Sequence, residues 1–262
     1  MSETSTASAN LFTLGELAAA LGWSARFIEG LVRGEKFPAI ETDGKLLFDR
    51  TAVTDWLQQK IQTLDERHIR ALEDHIETDL IEKGVFRTHR SDRLASRLPL
   101  RGVALDLAID SPQDILRALS EIAAGTGNVS DKSLLLYSLV EREALCSTAL
   151  PGGFAICHPR RPLRSAIERQ FLCCIRTSQP IAFGSEDGEL TRLFFLLCAP
   201  DDRSHLHGIA RLARILHAEE SKLLFTASDA ETFKETLAFI EAKAAAPVFG
   251  DRTQDSDSLS GS

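Results

Sequence analysis

The chain has 262 residues, a formal net charge of −8 and an apolar fraction of 44%. This length fits one or two domains with a sizeable core, and the acidic balance argues against a chain that binds nucleic acid along its whole surface. No apolar run reaches the ~20 residues of a membrane-spanning helix. The opening MSETSTASAN lacks the basic-then-apolar order of a secretory signal, so a cytoplasmic location without membrane insertion is expected.

Residues 1–10 are rich in Ser, Thr and Ala and read as a disordered N-terminus. Thr13-Leu14-Gly15-Glu16 has the spacing of a capping box and predicts a helix through Leu21, stopped by Gly22. Ser24 caps a second helix that buries Phe27, Ile28 and Leu31 and ends near Gly34. Ile40–Phe48 predicts a hairpin, its Asp43-Gly44 pair suited to a type I′ turn. A third helix starts at Thr51, with Val53, Trp56 and Leu57 facing inward.

This order, carried by LAAALGWSARFIEGLVRGEKFPA, resembles the small winged helix-turn-helix of the excisionase/MerR type over residues 11–60. The resemblance implies a second helix that enters the major groove and a wing that touches the backbone. The groove-facing candidates are then Ser24, Arg26, Glu29 and Arg33, with Lys36 and Lys45 near phosphates. Six basic residues against seven acidic ones between Leu11 and Lys60 weigh against DNA, whose phosphates demand a basic footprint. A protein-docking module on the same scaffold is the competing reading.

Gln58–Lys83 continues a helical pattern as one helix or two, with Ile61, Leu64, Ile69, Leu72, Ile76 and Leu80 on one stripe and Gly84 as a stop. Such a stripe suits packing on a neighbouring domain or a second copy, and a homodimer through residues 58–83 would present two reading modules together. Residues 61–99 are read as a helical linker, closing with the basic strip Thr88–Leu98.

A second domain is expected from residue 100 to 245, with strands alternating with helices in an α/β layered fold. Val103–Ile109 predicts a strand, and Ser111 and Pro112 open a helix over Gln113–Ala123. Ser130 caps a helix through Arg142. Strands follow at Ile167–Ile175 and Leu193–Cys198, with a turn at Phe183-Gly184. Ser204 caps a helix over His205–Leu216, and Asp229–Lys243 forms the last helix before a polar tail, 246–262, read as disordered. The Gly125–Asn128 loop lacks the spacing of a phosphate cradle. Cys146, Cys157, Cys173, Cys174 and Cys198 are odd in number and show no CxxC pair, which speaks against a disulfide framework or a zinc site.

The stretch Arg142–Arg160, REALCSTALPGGFAICHPR, carries the chemistry. A turn of Pro and Gly leads into a short apolar strand that ends at His158, whose ring is expected to face a cleft. Neutral imidazole is nucleophilic, and guanidinium groups at Arg142 and Arg160 are suited to balance a phosphate. Cys157 lies beside His158, but adjacent strand side chains face opposite ways, so the two are not expected to pair.

The stretch resembles the active-site segment of phosphotransferase-system EIIA domains of the fructose/mannitol (type 2, nitrogen-regulatory-like) class. Arg142, Glu143, Ser147, Thr148, Gly153, Ala155, His158 and Arg160 match, and Cys157 stands where the family has proline. The resemblance implies a mixed-sheet α/β sandwich and phosphorylation of His158 by the histidine phosphocarrier protein. It assigns His205, after the Pro-x-Asp turn, as the partner of the phosphoryl group. His205 and His207 diverge at i, i+2 and do not share a metal; His207 is expected on the solvated surface. No metal, nucleotide or other cofactor is called for. The readings are a regulator whose phosphorylation tunes DNA or protein binding, a plain carrier that hands the group to a sugar-permease component, or a binding protein with a dead site.

Overall fold

The computed structural model describes residues 10–34, 37–84 and 93–245. Lys36, residues 88–92 of the basic strip and the two ends expected to be disordered (1–9 and 246–262) lie outside the described residues.

The N-terminal half opens with a strand that the helical reading missed, β1 (Leu11–Thr13). It pairs antiparallel with β3 (Lys45–Asp49), whose other edge takes β2 (Ile40–Thr42). Asp43 and Gly44 hold φ of 51° and 70°, the doubled positive φ of a type I′ turn. Helix α1 (Leu14–Leu21) starts on a reciprocal cap. Thr13 Oγ1 accepts the Glu16 N–H at 3.3 Å, while the Glu16 carboxylate accepts the Thr13 N–H at 2.8 Å. Ser24 Oγ accepts the Phe27 N–H at the start of α2 (Ala25–Gly34). Helix α3 (Arg50–Lys60) begins one residue earlier than expected because Asp49 caps it through the Ala52 N–H.

Residues 58–83 are not one helix. A 3-10 turn at Ile61–Thr63 and an extended Leu64 separate α3 from α4 (Glu66–Glu82), which Asp65 caps by accepting the His68 N–H. Ile69, Leu72, Ile76 and Leu80 on α4 are buried, and α4 packs along α7 (Asp202–His217) of the C-terminal half. The stripe is therefore covered within the chain, and it is not the free face that the homodimer through residues 58–83 required. Two arginines of α7 reinforce the packing. Arg211 donates Nε to Glu73 at 2.7 Å and Nη2 to Glu77 at 2.8 Å, and Arg214 pairs with Glu73.

The C-terminal half is the expected α/β sandwich around a five-stranded mixed sheet. Its strands are β4 (Val103–Leu107), β5 (Ala149–Leu150), β6 (Phe154–Cys157), β7 (Phe171–Ile181) and β8 (Thr191–Cys198). They stand in the order β4-β7-β8-β6-β5, with β4 parallel to β7, β6 parallel to β8, and the other pairs antiparallel. The period of two sorts the apolar strands between two cores. Ala155, Cys173, Phe194 and Leu196 face helices α5 (Pro112–Gly125) and α6 (Lys132–Leu145). Ile156, Leu172, Phe195 and Leu197 face α7 and α8 (Ala230–Ala244).

Several expected boundaries move. Strand β7 begins at Phe171, since Ala166 and Ile167 both turn back to hydrogen-bond the Leu163 carbonyl. Asp131 rather than Ser130 caps α6, through the Leu134 N–H, and α6 runs on to Leu145. Asp201 rather than Ser204 caps α7, through the Ser204 N–H.

Candidate active site

His158 directly follows β6, whose four residues are all buried. Gly152 and Gly153 enter that strand at φ of 85° and 83°, which a side chain would strain. The carboxylate of Glu143, at the end of α6, accepts both the Thr148 N–H (2.9 Å) and the Thr148 hydroxyl (2.7 Å). The Thr148 carbonyl in turn accepts the Ile156 N–H at 3.0 Å. The motif residues Glu143 and Thr148 thus fix the strand that carries the histidine. Burial pushes the Glu143 carboxyl up against the opposing pull of Thr148.

Alternation along β6 sends Cys157 into the core under α5 and α6. Burial raises its thiol far above the ordinary range, so it supplies no thiolate beside His158. His158 Nδ1 lies 2.8 Å from the Ile156 carbonyl. A carbonyl only accepts, so Nδ1 carries the proton and Nε2 is left with its lone pair. Arg142 Nε–H donates to that Nε2 at 3.1 Å. Burial, then the Arg142 charge and the neighbouring His205, hold the His158 ring well below the usual imidazole range, hence neutral at neutral pH.

The structure also brings His205 to the site. Its ring centroid is 5.2 Å from that of His158, with the planes at 64°. Both ring nitrogens of His205 are buried and have no hydrogen-bond partner among the described residues. Burial and Arg142 bring its pKa down to about 4. A neutral imidazole with a spare N–H, close to the nucleophile and in the first turns of a helix, is a fitting donor to an anionic oxygen.

Two expectations about exposure fail. The His158 ring does not face an open cleft: it is 1% exposed. Helix α3 of the N-terminal half lies beside the site, where the Gln58 carbonyl accepts Arg142 Nη2 at 3.1 Å and the Cys146 carbonyl takes Nη1 at 2.9 Å. Neither Asp55 nor Gln58 carried a signal in the sequence beyond a polar residue on a helix. His207, expected on the surface, is 1% exposed because α7 is enclosed by the sheet and α4. Arg160 does not reach the ring. It is exposed and lies 4.0 Å from Asp55, which Arg161 approaches more closely, at 3.2 Å.

Glu73, Glu77 and His207 gather three possible metal-ligand atoms within 4.8 Å. Arg211 and Arg214 already occupy the two carboxylates, so the cluster works as an ion network joining α4 to α7. Of the DNA candidates, Arg26 and Arg33 are exposed on α2 and Lys45 is exposed on the hairpin, while Glu29 is half-buried. None of them approaches the histidine site. No helix among the described residues is long and apolar enough to cross a membrane.

Residues 98–241, more than half of the chain, match the family model described as phosphoenolpyruvate-dependent sugar phosphotransferase system, EIIA 2. The chain belongs to the EIIA 2 family. It is 35% identical over 134 residues to a nitrogen regulatory protein of Bradyrhizobium diazoefficiens, covering 49% of this chain and 86% of that protein. It is 24% identical over 143 residues to the fructose-specific EIIA component of a PTS system in Haloferax volcanii, covering 53% of this chain and 91% of that protein. The crystal structure of nitrogen regulatory protein IIA-Ntr from Neisseria meningitidis superposes with a TM-score of 0.50 at 26% identity, over 55% of this chain and 97% of that one. Arg142, His158 and His205 all lie inside the EIIA 2 match.

Proposed function

We propose that this EIIA 2 protein is a phosphotransferase-linked regulatory phosphoryl carrier that accepts its phosphoryl group on His158 Nε2. The observation that carries this reading is the set of contacts around the His158 ring. Nδ1 is committed to the Ile156 carbonyl, the unprotonated Nε2 accepts from Arg142, and His205 has unused ring nitrogens beside it. The donor is the phosphohistidine of the histidine phosphocarrier protein. Nε2 attacks the phosphorus in line, the donor's P–N bond breaks, and its electron pair stays on the donor imidazole, which takes up a proton. The proton stays on His158 Nδ1 throughout, donated to the Ile156 carbonyl. Arg142 shifts from Nε2 to the equatorial oxygens and His205 donates to one of them, both stabilising the charge that spreads there.

The test is to mix the chain with phosphoenolpyruvate and the two general phosphotransferase proteins. Label is expected on the wild type and absent from His158→Ala; an unlabelled wild type would leave a binding protein with a dead site. In this reading the N-terminal module, residues 11–60, carries the output by binding DNA through α2 and the hairpin, in the cytoplasm, with phosphorylation setting its availability. Salt-dependent binding to promoter fragments, weakened by Arg26→Ala and Arg33→Ala, tests that half.

A second reading is favoured by the charge of the module, seven acidic residues against six basic. Here the module docks a protein partner, and the carrier serves a sugar-permease component or a regulator. Binding to a partner that does not weaken steeply with salt would select it over DNA.

A further inference from the structure

We propose that the Asp55–Gln59 turn of α3 is a lid on the phosphorylatable histidine, and that a phosphoryl group on His158 and the docked lid exclude each other. This rests on the phosphoryl-acceptor reading above and names how that site is regulated.

Three observations meet here. First, His158 is buried and its nucleophilic nitrogen is occupied. The Gln58 carbonyl holds the Arg142 guanidinium, and the same guanidinium donates to Nε2. The lid thereby keeps Arg142 on the lone pair that must attack. Second, the gap that Asp55, Gln58 and Gln59 leave against Arg142, Leu145 and Arg160 is about 10 Å³, room for no more than one water, so the lid sits closely on Arg142. Third, the lid contacts the arginines beside the site as an anion would. It presents the Gln58 carbonyl to Arg142 and the Asp55 carboxylate to Arg160 and Arg161. Phosphoryl oxygens on His158 would compete with the Gln58 carbonyl for Arg142 and would be repelled by both lid groups.

The contact is also imperfectly satisfied. Asp55 Oδ1 and Gln58 Nε2 are buried without a hydrogen-bond partner among the described residues, as are both nitrogens of His205. Buried polar atoms left unpaired favour opening, since water satisfies them at once. The 3-10 turn at Ile61–Thr63 and the extended Leu64 separate α3 from α4, and both that turn and α3 pack on α7, so opening is a local shift of the Asp55–Gln59 face away from Arg142 and not a swing of the whole helix. Linkage makes the coupling reciprocal: a lid that bars phosphorylation is itself released by it.

The test uses the full chain in three forms: wild type, Asp55→Arg, and Asp55→Arg with Arg161→Asp to restore the opposite-charge pair. Diethyl pyrocarbonate acylates reachable neutral imidazole, and peptide mass spectrometry reads His158 against the exposed His75 as an internal control. We expect His158 to react slowly in the wild type, about tenfold faster in Asp55→Arg, and slowly again in the double variant, with His75 constant. Phosphorylation by the phosphocarrier protein should follow the same order. The double variant separates lid opening from a general loss of folding. Equal His158 reactivity in the wild type and Asp55→Arg would overturn the lid, whether or not label is taken up. Opening of His158 in Asp55→Arg with no label in any form would instead overturn the phosphoryl-acceptor reading.

Discussion

The Gln58 carbonyl and the Arg142 guanidinium meet at 3.1 Å across the boundary between the N-terminal module and the EIIA 2 half. Arg142 is 2% exposed, and it also donates to His158 Nε2 and to the Cys146 carbonyl. One planar cation with a fixed fork of donors thus ties the His158 ring, its own helix end and the neighbouring module together. A lysine offers no such fork. Replacing Arg142 by Gln should slow single-turnover phosphorylation of His158 about 100-fold, the scale on which loss of one preorganised donor acts. Arg142→Lys should fall between Gln and wild type. Equal rates in all three proteins would remove Arg142 from the transfer.

The phosphorylation rate should be flat between pH 6 and 8. Both His158 and His205 are held neutral by burial, so the nucleophile is not lost to protonation near the ordinary imidazole pKa of 6.5. A rate that halves near pH 6.5 would show that the ring titrates normally. The measurement is single-turnover label uptake with the donor charged beforehand at one fixed pH.

Stability should respond to pH where the rate does not. A buried neutral histidine takes up a proton on unfolding below about pH 6.5, so its contribution is fully present above that pH. It is lost progressively as pH falls toward the folded value. For His205, whose folded pKa is about 4, the loss over that interval is about 3 kcal/mol. His158 adds to it in the same direction. Urea midpoints measured from pH 7 to pH 4.5 should fall accordingly.

Gly208 lets α7 sit against the sheet. A Cβ there would lie 2.5 Å from Gln170 Nε2 and 2.8 Å from Leu197 Cδ2. Gln170 is buried and bonded to the Ser204 carbonyl, so it yields little. Gly208→Ala should destabilise the fold by about 2 kcal/mol through overpacking, outweighing the better helix propensity of alanine. Chemical denaturation reads this directly, and an unchanged midpoint would contradict the close approach.

Arg176 on β7 is almost fully buried, and it bridges Asp106 on the edge strand with two bonds, of 3.0 and 2.6 Å. Its Nη1 also donates to the carbonyls of Leu224, Phe225 and Ala227. Arg176→Ala leaves those acceptors unmet and should cost about 3 kcal/mol or more. A loss below about 0.5 kcal/mol by thermal unfolding would show that water replaces the arginine freely.

The local features of the fold were legible because each is set by neighbours in the chain. The Thr13–Glu16 box, the Asp43-Gly44 turn and the apolar run of β8 need no distant partner. Cap positions slipped by up to three residues, Ser130 against Asp131 and Ser204 against Asp201. Serine and aspartate cap equally well, and only the final geometry chooses between them. Ile167 read as strand because an apolar run has no period to distinguish it from a packed turn.

Motif spacing pointed to Arg142, His158 and His205, and the structure brings these three side chains together. The closure of the site was not legible. Asp55 and Gln58 lie about a hundred residues before the histidine, and nothing local marks Gln58 as buried or Asp55 as half-buried. His207, Arg211 and Arg214 resemble surface residues until α4 covers them. The Glu73/Glu77 pair four residues apart, facing two arginines three apart, was the available hint that α4 and α7 are partners.

The central claim concerns one atom, Nε2 of His158. Phosphorylating protein labelled with ¹⁵N in its histidine rings, then observing the ¹⁵N shifts and the coupling to ³¹P, identifies the modified nitrogen directly. The account predicts a single phosphohistidine, at residue 158, with phosphorus on Nε2 and a proton on Nδ1. Phosphorus on Nδ1, or on another histidine, would contradict it.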